Sequence, residues 1–139
     1  MLLVVDTNVL ISAAIARGHT LDLIYSNRLE LITPEFTKVE LLKHSKEIGE
    51  KAELTEQELR ALFETLFKRI EVASSEEYSN FKQQAIDLSP DPNDWPFFAL
   101  ALKEKTSIWS NDSRLKNQKR ISVLDTAELT RLIGFSRSP

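Results

Sequence analysis

An apolar run closed by a carboxylate constrains this chain more than any other feature. Met1-Leu2-Leu3-Val4-Val5 ends on Asp6, and a helical pattern begins at once. The run is short, has no polar alternation and carries β-branched residues, which is how a central strand buried on both faces reads. Asp6 stands where that strand stops. In open α/β sheets ligands bind outside the carboxyl ends of the strands, so Asp6 is either a site residue or the N-cap of the next helix. Thr7 or Asn8 caps equally well, so capping alone does not require it.

Strand and helix patterns alternate along the rest of the chain. Val9, Leu10, Ala13, Ala14 and Ile15 predict a helix ending near Gly18, with a second over Thr20 to Asn27. Leu29 to Thr33 reads as a short strand. Pro34, tolerated in a first helical turn, starts a helix through Phe36, Val39 and Leu42 to Ile48. Thr55 and Glu58 have capping-box spacing, ahead of an apolar face of Leu59, Leu62, Phe63, Leu66 and Phe67. Ile70-Glu71-Val72 is a weak strand. Ser75 caps a helix carrying Tyr78, Phe81 and Ala85, and Leu88 to Asn93 is a loop. A helix follows from Asp94 to Lys103, then strands at Thr106–Ser110 and Ile121–Leu124 and a last helix from Asp125 to Ile133. No repeat, low-complexity stretch or linker divides the chain. Such alternation implies an α/β fold, a single domain over 1–139 with a mostly parallel central sheet and helices on both faces.

Composition excludes several alternatives. There is no cysteine, hence no disulfide framework and no thiolate metal site. The only histidines are His19 and His44, too few for a His-rich site and both expected in solvated positions. The net charge of −3 argues against broad attraction to nucleic acid but leaves room for a local basic patch. The N-terminus lacks the basic segment of a signal peptide. The longest apolar run, Trp95 to Leu102, is far short of the ~20 residues of a membrane span. A soluble, cytoplasmic protein without a membrane partner is the expectation.

Four carboxylates fall at informative places. Asp6 follows the first strand, Asp112 follows the strand ending Trp109-Ser110, and Asp94 opens a helix after a Pro-rich loop. Glu40 lies within an apolar helical stretch, between Val39 and Leu41-Leu42. Each has an ordinary reading as well. Asp94 suits a helix N-terminus through the macrodipole, Asp112 suits the turn Ser110-Asn111-Asp112-Ser113, and Glu40 suits a solvated helix face. Together they favour a shared pocket, because several carboxylates without a compensating Lys or His are commonly resolved by a hard divalent cation.

In order and spacing these segments resemble the PIN-domain nucleases: Asp6-Thr7-Asn8, Thr37-Lys38-Val39-Glu40-Leu41, Asp91-Pro92-Asn93-Asp94-Trp95-Pro96-Phe97, and Ser110-Asn111-Asp112. The resemblance covers the whole chain, and its size is similar to that of the small ribonuclease toxins of bacterial and archaeal toxin–antitoxin pairs. The likeness implies a metal-dependent endoribonuclease in which Asp6, Glu40, Asp94 and Asp112 are the catalytic, metal-binding acids. One or two Mg²⁺ or Mn²⁺ ions would be held through one or two of them, to activate water and stabilise the leaving oxygen. Asn8 would orient a ligand carboxylate, and Ser110 would orient Asp112 or contact substrate phosphate. Two departures stand out. Trp95 occupies a position where a small residue is usual, and Arg114 one where many members carry a further Asp. The second weakens the case for a fifth ligand.

An acidic pocket must still hold RNA. Arg114, Lys116, Lys119 and Arg120 form the densest basic stretch, directly after Asp112. It is either a solvated face or a set of phosphate contacts. Trp95 is a candidate for stacking on bases, while Trp109, in a strand, reads as core. The apolar face of the helix from Thr55 packs the core or, where exposed, marks a binding surface. The resemblance points there to a homodimer and to a cognate antitoxin protein. Two other classes compete. A haloacid-dehalogenase-type phosphatase wants an Asp where Asn8 stands and a supporting Lys that is not identifiable. A non-catalytic PIN-like module binding RNA or protein would be marked by loss of one of the four acids, and none is lost.

Overall fold

A computed structural model describes residues 1–134; the expected domain span, 1–139, runs past the described residues. The chain begins with strand β1 (Leu2–Val5), followed by helices α1 (Thr7–Ala16) and α2 (Gly18–Ile24) and strand β2 (Glu30–Pro34). Helices α3 (Phe36–Lys43), α4 (Ser45–Ala52) and α5 (Glu56–Arg69) lead to β3 (Ile70–Ala73). Then come α6 (Ser75–Tyr78), α7 (Lys82–Leu88), α8 (Trp95–Glu104), β4 (Ser107–Trp109), β5 (Val123–Leu124) and α9 (Thr126–Ile133). The described strands form one sheet in the order β3-β2-β1-β4-β5, and every pairing is parallel.

Residue alternation explains the layers. Leu3 and Val5 of β1 point to one face with Leu31, Ile70 and Trp109, where α1, α2, α4 and α5 supply Leu10, Ala13, Leu23, Ile48, Leu59, Phe63 and Leu66. Val4 points to the other with Ile32, Ile108 and Val123, where α6, α7 and α8 supply Tyr78, Ala85, Phe97, Phe98 and Leu100. Leu3, Val4 and Val5 are all fully buried. That is why β1 shows no polar alternation: a central parallel strand has no solvent face. The fold is therefore the expected α/β one, with helices on both faces of a parallel sheet. Among the described residues no helix is long and apolar enough to cross a membrane.

Several local expectations are corrected. Pro34 ends β2, paired with Ala73, instead of opening a helix. The single helix expected to Ile48 is two, because His44 departs from helical angles (φ −103°, ψ 11°) between α3 and α4. The helix expected over Tyr78, Phe81 and Ala85 is capped by Ser74, whose N–H donates to Glu77 at 2.6 Å. It breaks where Tyr78 adopts φ −120° and ψ 0°. His19 is half-buried, with Nε2 2.8 Å from Thr130 Oγ1; His44 is exposed as expected. At α5 the capping box forms as the spacing predicts: Glu58 N–H donates to Thr55 Oγ1 at 3.1 Å, and Thr55 N–H to Glu58 Oε1 at 2.9 Å.

Candidate functional site

Strand register brings the first residues of the site together. Val5 pairs with Trp109, so Asp6 and Ser110 leave β1 and β4 side by side. Asp6 N–H donates to the Trp109 carbonyl at 3.0 Å. Asp6 occupies the N-cap position of α1 but makes no side-chain cap. Its carboxylate turns instead to Ser110 Oγ, which donates to Oδ2 at 2.7 Å, and to Asn8 Nδ2, which donates to the same oxygen at 3.0 Å. Asn8 and Ser110 thus both orient Asp6. Ser110 meets Asp112 only through the backbone, accepting its N–H at 3.0 Å.

Glu40 reaches this edge from α3. Thr7 Oγ donates to Glu40 Oε1 in a short hydrogen bond. Behind it stand two further threonines: Thr33 Oγ lies 2.7 Å from Thr37 Oγ and donates to the Val5 carbonyl at 2.8 Å. Thr7, Thr33 and Thr37 are all buried. Each hydroxyl has one proton. With Thr33 donating to Val5, Thr37 donates to Thr33, and Thr7 Oγ, 3.4 Å from Thr37 Oγ, gives its proton to the nearer Glu40. The sequence reading missed these residues. Threonine in a strand or helix looks like ordinary filler, and only the packing of α1, β2 and α3 lines the hydroxyls up.

Asp94 is the N-cap residue of α8, placed by the 3₁₀ turn Pro92–Asp94. It makes no side-chain capping bond. Asp112 caps another such turn, Ser113–Lys116, by accepting the Arg114 N–H at 3.0 Å. The Arg114 guanidinium also grips it, Nε to Oδ1 at 3.0 Å and Nη2 to Oδ2 at 2.8 Å.

The electrostatics divide the four acids into three and one. Asp6 is 8% exposed. Its pKa is pushed up to about 7, mainly by burial and further by the charges of Asp94 and Glu40, against the opposing Ser110 bond. Asp94 is pushed up to about 6 by burial and by repulsion from Asp91, Glu40 and Asp112. Glu40 is also raised, chiefly by burial. Asp112 alone is lowered, chiefly by its bond from Arg114. Asp6, Glu40 and Asp94 therefore resist ionising together.

Among the described residues no three carboxylate or imidazole groups stand together in a cluster that could hold a metal ion. The donor chemistry nevertheless suits a hard cation. The side chains are carboxylate oxygens whose proton affinity is raised by burial and, at Asp6 and Asp94, by neighbouring acids, and a divalent ion neutralises such charge as protons do.

Beside Glu40 a groove of about 850 Å³ runs between α3, α6 and α8, with Lys38, Lys43, Tyr78, Asn93 and Trp95 in its wall. Trp95 lies 5.8 Å from Tyr78, ring centre to ring centre, and Lys82 Nζ sits 5.0 Å over its indole. The basic stretch disperses. Lys116 pairs with Glu128, and with Asp125 at 3.4 Å. Lys119 is exposed. Arg120 lines a separate cavity with Lys105, Ser107 and Ser122, at the amino ends of β4 and β5 and so at the opposite edge of the sheet from Asp6. Only Arg114 of the four is brought to the carboxylates.

Comparison with known proteins bears on the family and the fold. The profile of the PIN domain family matches residues 4–129. The fold is similar to that of a chain in the crystal structure of VapBC2 from Rickettsia felis bound to a DNA fragment from their promoter. The TM-score is 0.62 at 15% identity, over 90% of this chain and 98% of that one. No curated protein matches the sequence.

Proposed function

Because this chain belongs to the PIN domain family, we propose that it is a cytoplasmic, Mg²⁺- or Mn²⁺-dependent endoribonuclease and the toxin of a toxin–antitoxin pair. The observation that carries this reading is the burial of Asp6 without a basic partner, beside Glu40 and Asp94 whose charges add to the effect of burial, three acids delivered by three different elements to one edge of the sheet. A fold that buries Asp6 without a basic partner incurs an electrostatic cost, and a cation at the site offsets it.

In this reading Asp6, Glu40 and Asp94 line the metal pocket and one or two of them ligate an ion, with Asp112 at the rim in the grip of Arg114. When bound, the ion supplies Lewis acidity and positive charge at the scissile phosphodiester. The chain's own residues prepare for that. Ser110 and Asn8 hold the Asp6 carboxylate in one orientation, Thr7 holds Glu40, and the turn before α8 holds Asp94. The groove beside Glu40 suits single-stranded RNA: Trp95, only partly buried, offers a ring for stacking, and Lys43 offers charge to phosphates.

The same reading includes a homodimer and a cognate antitoxin. It is supported by an apolar surface on α3 and α5, where Leu42 is 77% and Val39 61% exposed. A hollow between Leu41, Leu42, Leu59, Phe63 and Phe67 opens next to them.

The test is cleavage of single-stranded RNA by the purified chain. Hydrolysis in Mn²⁺ or Mg²⁺, stopped by EDTA and absent in Asp6→Asn, is expected. Metal-independent hydrolysis, or none by the wild type in either ion, refutes the proposal.

A further inference from the structure

Arg114 holds Asp112 as a fork holds its counterpart. Two parallel N–H groups of the guanidinium meet the two carboxylate oxygens at 3.0 and 2.8 Å, the geometry in which arginine and carboxylate bind most specifically. The backbone N–H of Arg114 adds a third bond to Oδ1. Both oxygens of Asp112 are therefore engaged, whereas Asp94 makes no side-chain capping bond.

The arrangement is local and hence well defined. Arg114 sits in the turn that Asp112 caps, so the tether between the two is short. Arg114 is 80% exposed and Asp112 22%, which places the guanidinium on the solvent side of the carboxylate. Its charge also attracts Asp94 and Asp91. One fixed monovalent cation thus serves the outer half of the acidic cluster, while Asp6 and Glu40, held by Ser110, Asn8 and Thr7, receive hydroxyl and amide donors.

We propose that Arg114 is a built-in counter-cation, withholding Asp112 from the metal donor set and taking the place of a second divalent ion. One ion is then left for Asp6, Glu40 and Asp94. This rests on the metal-nuclease reading above and specifies its stoichiometry. A second divalent ion at Asp112 would have to displace the guanidinium and bear its repulsion at close range. The remaining N–H groups of Arg114 stay open to solvent, available to a phosphate oxygen.

The test is a double-mutant cycle on the metal-stripped chain, read as Mn²⁺ binding by titration calorimetry, with far-UV circular dichroism confirming the fold. The wild type should take one Mn²⁺ per chain, and Asp112→Asn should change its affinity by less than about threefold. Arg114→Ala should take a second ion, and adding Asp112→Asn to it should weaken that ion about tenfold or more, a coupling that independent sites do not show. Equal loss from Asp112→Asn in both backgrounds overturns the proposal. So does a single ion of unchanged affinity in Arg114→Ala, or two ions in the wild type. Asp6→Asn reports on the underlying reading separately: Mn²⁺ binding as tight as wild type there, or absent from every variant, removes the metal site itself and this inference with it.

Discussion

Ser110 donates to Asp6 at 2.7 Å although 104 residues separate them. The bond exists because β1 and β4 are neighbours in register, Val5 opposite Trp109. It favours the ionised form of a carboxylate that burial disfavours. Ser110→Ala should therefore raise the pH at which Asp6 ionises and shift the midpoint of Mn²⁺ binding upward. At pH 8 it should also cost about 1.5–3 kcal/mol of stability, the usual range for a hydrogen bond to a charged group. Calorimetry across pH and urea unfolding check both. An unmoved binding midpoint counts against the role given to Ser110.

The metal-free protein should lose stability as pH rises from about 4 to about 7. Asp6 titrates near 3.8 when unfolded and about 7 when folded, so between those values the folded state binds more protons and rising pH favours unfolding. At about 1.36 kcal/mol per unit, the effect of Asp6 is on the order of a few kcal/mol. Asp94, raised to about 6 but half-exposed, adds less. Asp112 is shifted downward and acts in the opposite sense only at lower pH. Asp6→Asn should flatten the decline in urea unfolding with EDTA. A wild-type curve already flat from pH 4 to 7 contradicts the burial argument.

Asp6→Asn should abolish RNA cleavage while keeping the far-UV circular dichroism of the wild type, because the amide is nearly isosteric but a poor ligand for a hard cation. Wild-type turnover in this variant sinks the metal mechanism.

Thr7→Val keeps the β-branched shape and deletes the proton given to Glu40. Loss of such an orienting partner typically costs 10–100-fold, so a fall in cleavage of about tenfold or more is expected. Thr7→Ser should restore most of it. Equal activity in all three proteins would make the threonine hydroxyls a packing feature only.

RNA binding should depend on the groove beside Glu40 more than on the basic stretch taken as a whole. In Ca²⁺, Lys43→Ala should flatten the salt dependence by roughly 0.7 log units for its one phosphate contact on a single strand. Arg120→Ala, at the opposite sheet edge, should leave the slope alone. The reverse pattern relocates the RNA path.

Leu42, exposed on α3 beside the hollow next to α5, supplies the test of assembly. Light scattering should give a mass near twice 15.9 kDa for the wild type, and Leu42→Asp should give the monomer with little change in thermal stability. A wild-type monomer at high micromolar concentration removes the homodimer from the proposal.

What the sequence determined alone is whatever depends on neighbours along the chain. Val4 and Val5 without polar alternation mark a central parallel strand, Thr55 and Glu58 mark a helix start, and Asp6 and Asp112 are visible at strand ends. These follow from periodicity and capping, which are local physics. The tertiary structure decided the rest. It directed Ser110 to Asp6 instead of to the Asp112 carboxylate and set Thr7 against Glu40. It also carried Arg120 to the far edge of the sheet, although the sequence sets it beside Lys119 and Lys116. Periodicity identifies which face of an element is apolar. It does not say which strand lies beside which, and hydrogen bonds between side chains tens of residues apart depend on that registration and on the packing of helices over it.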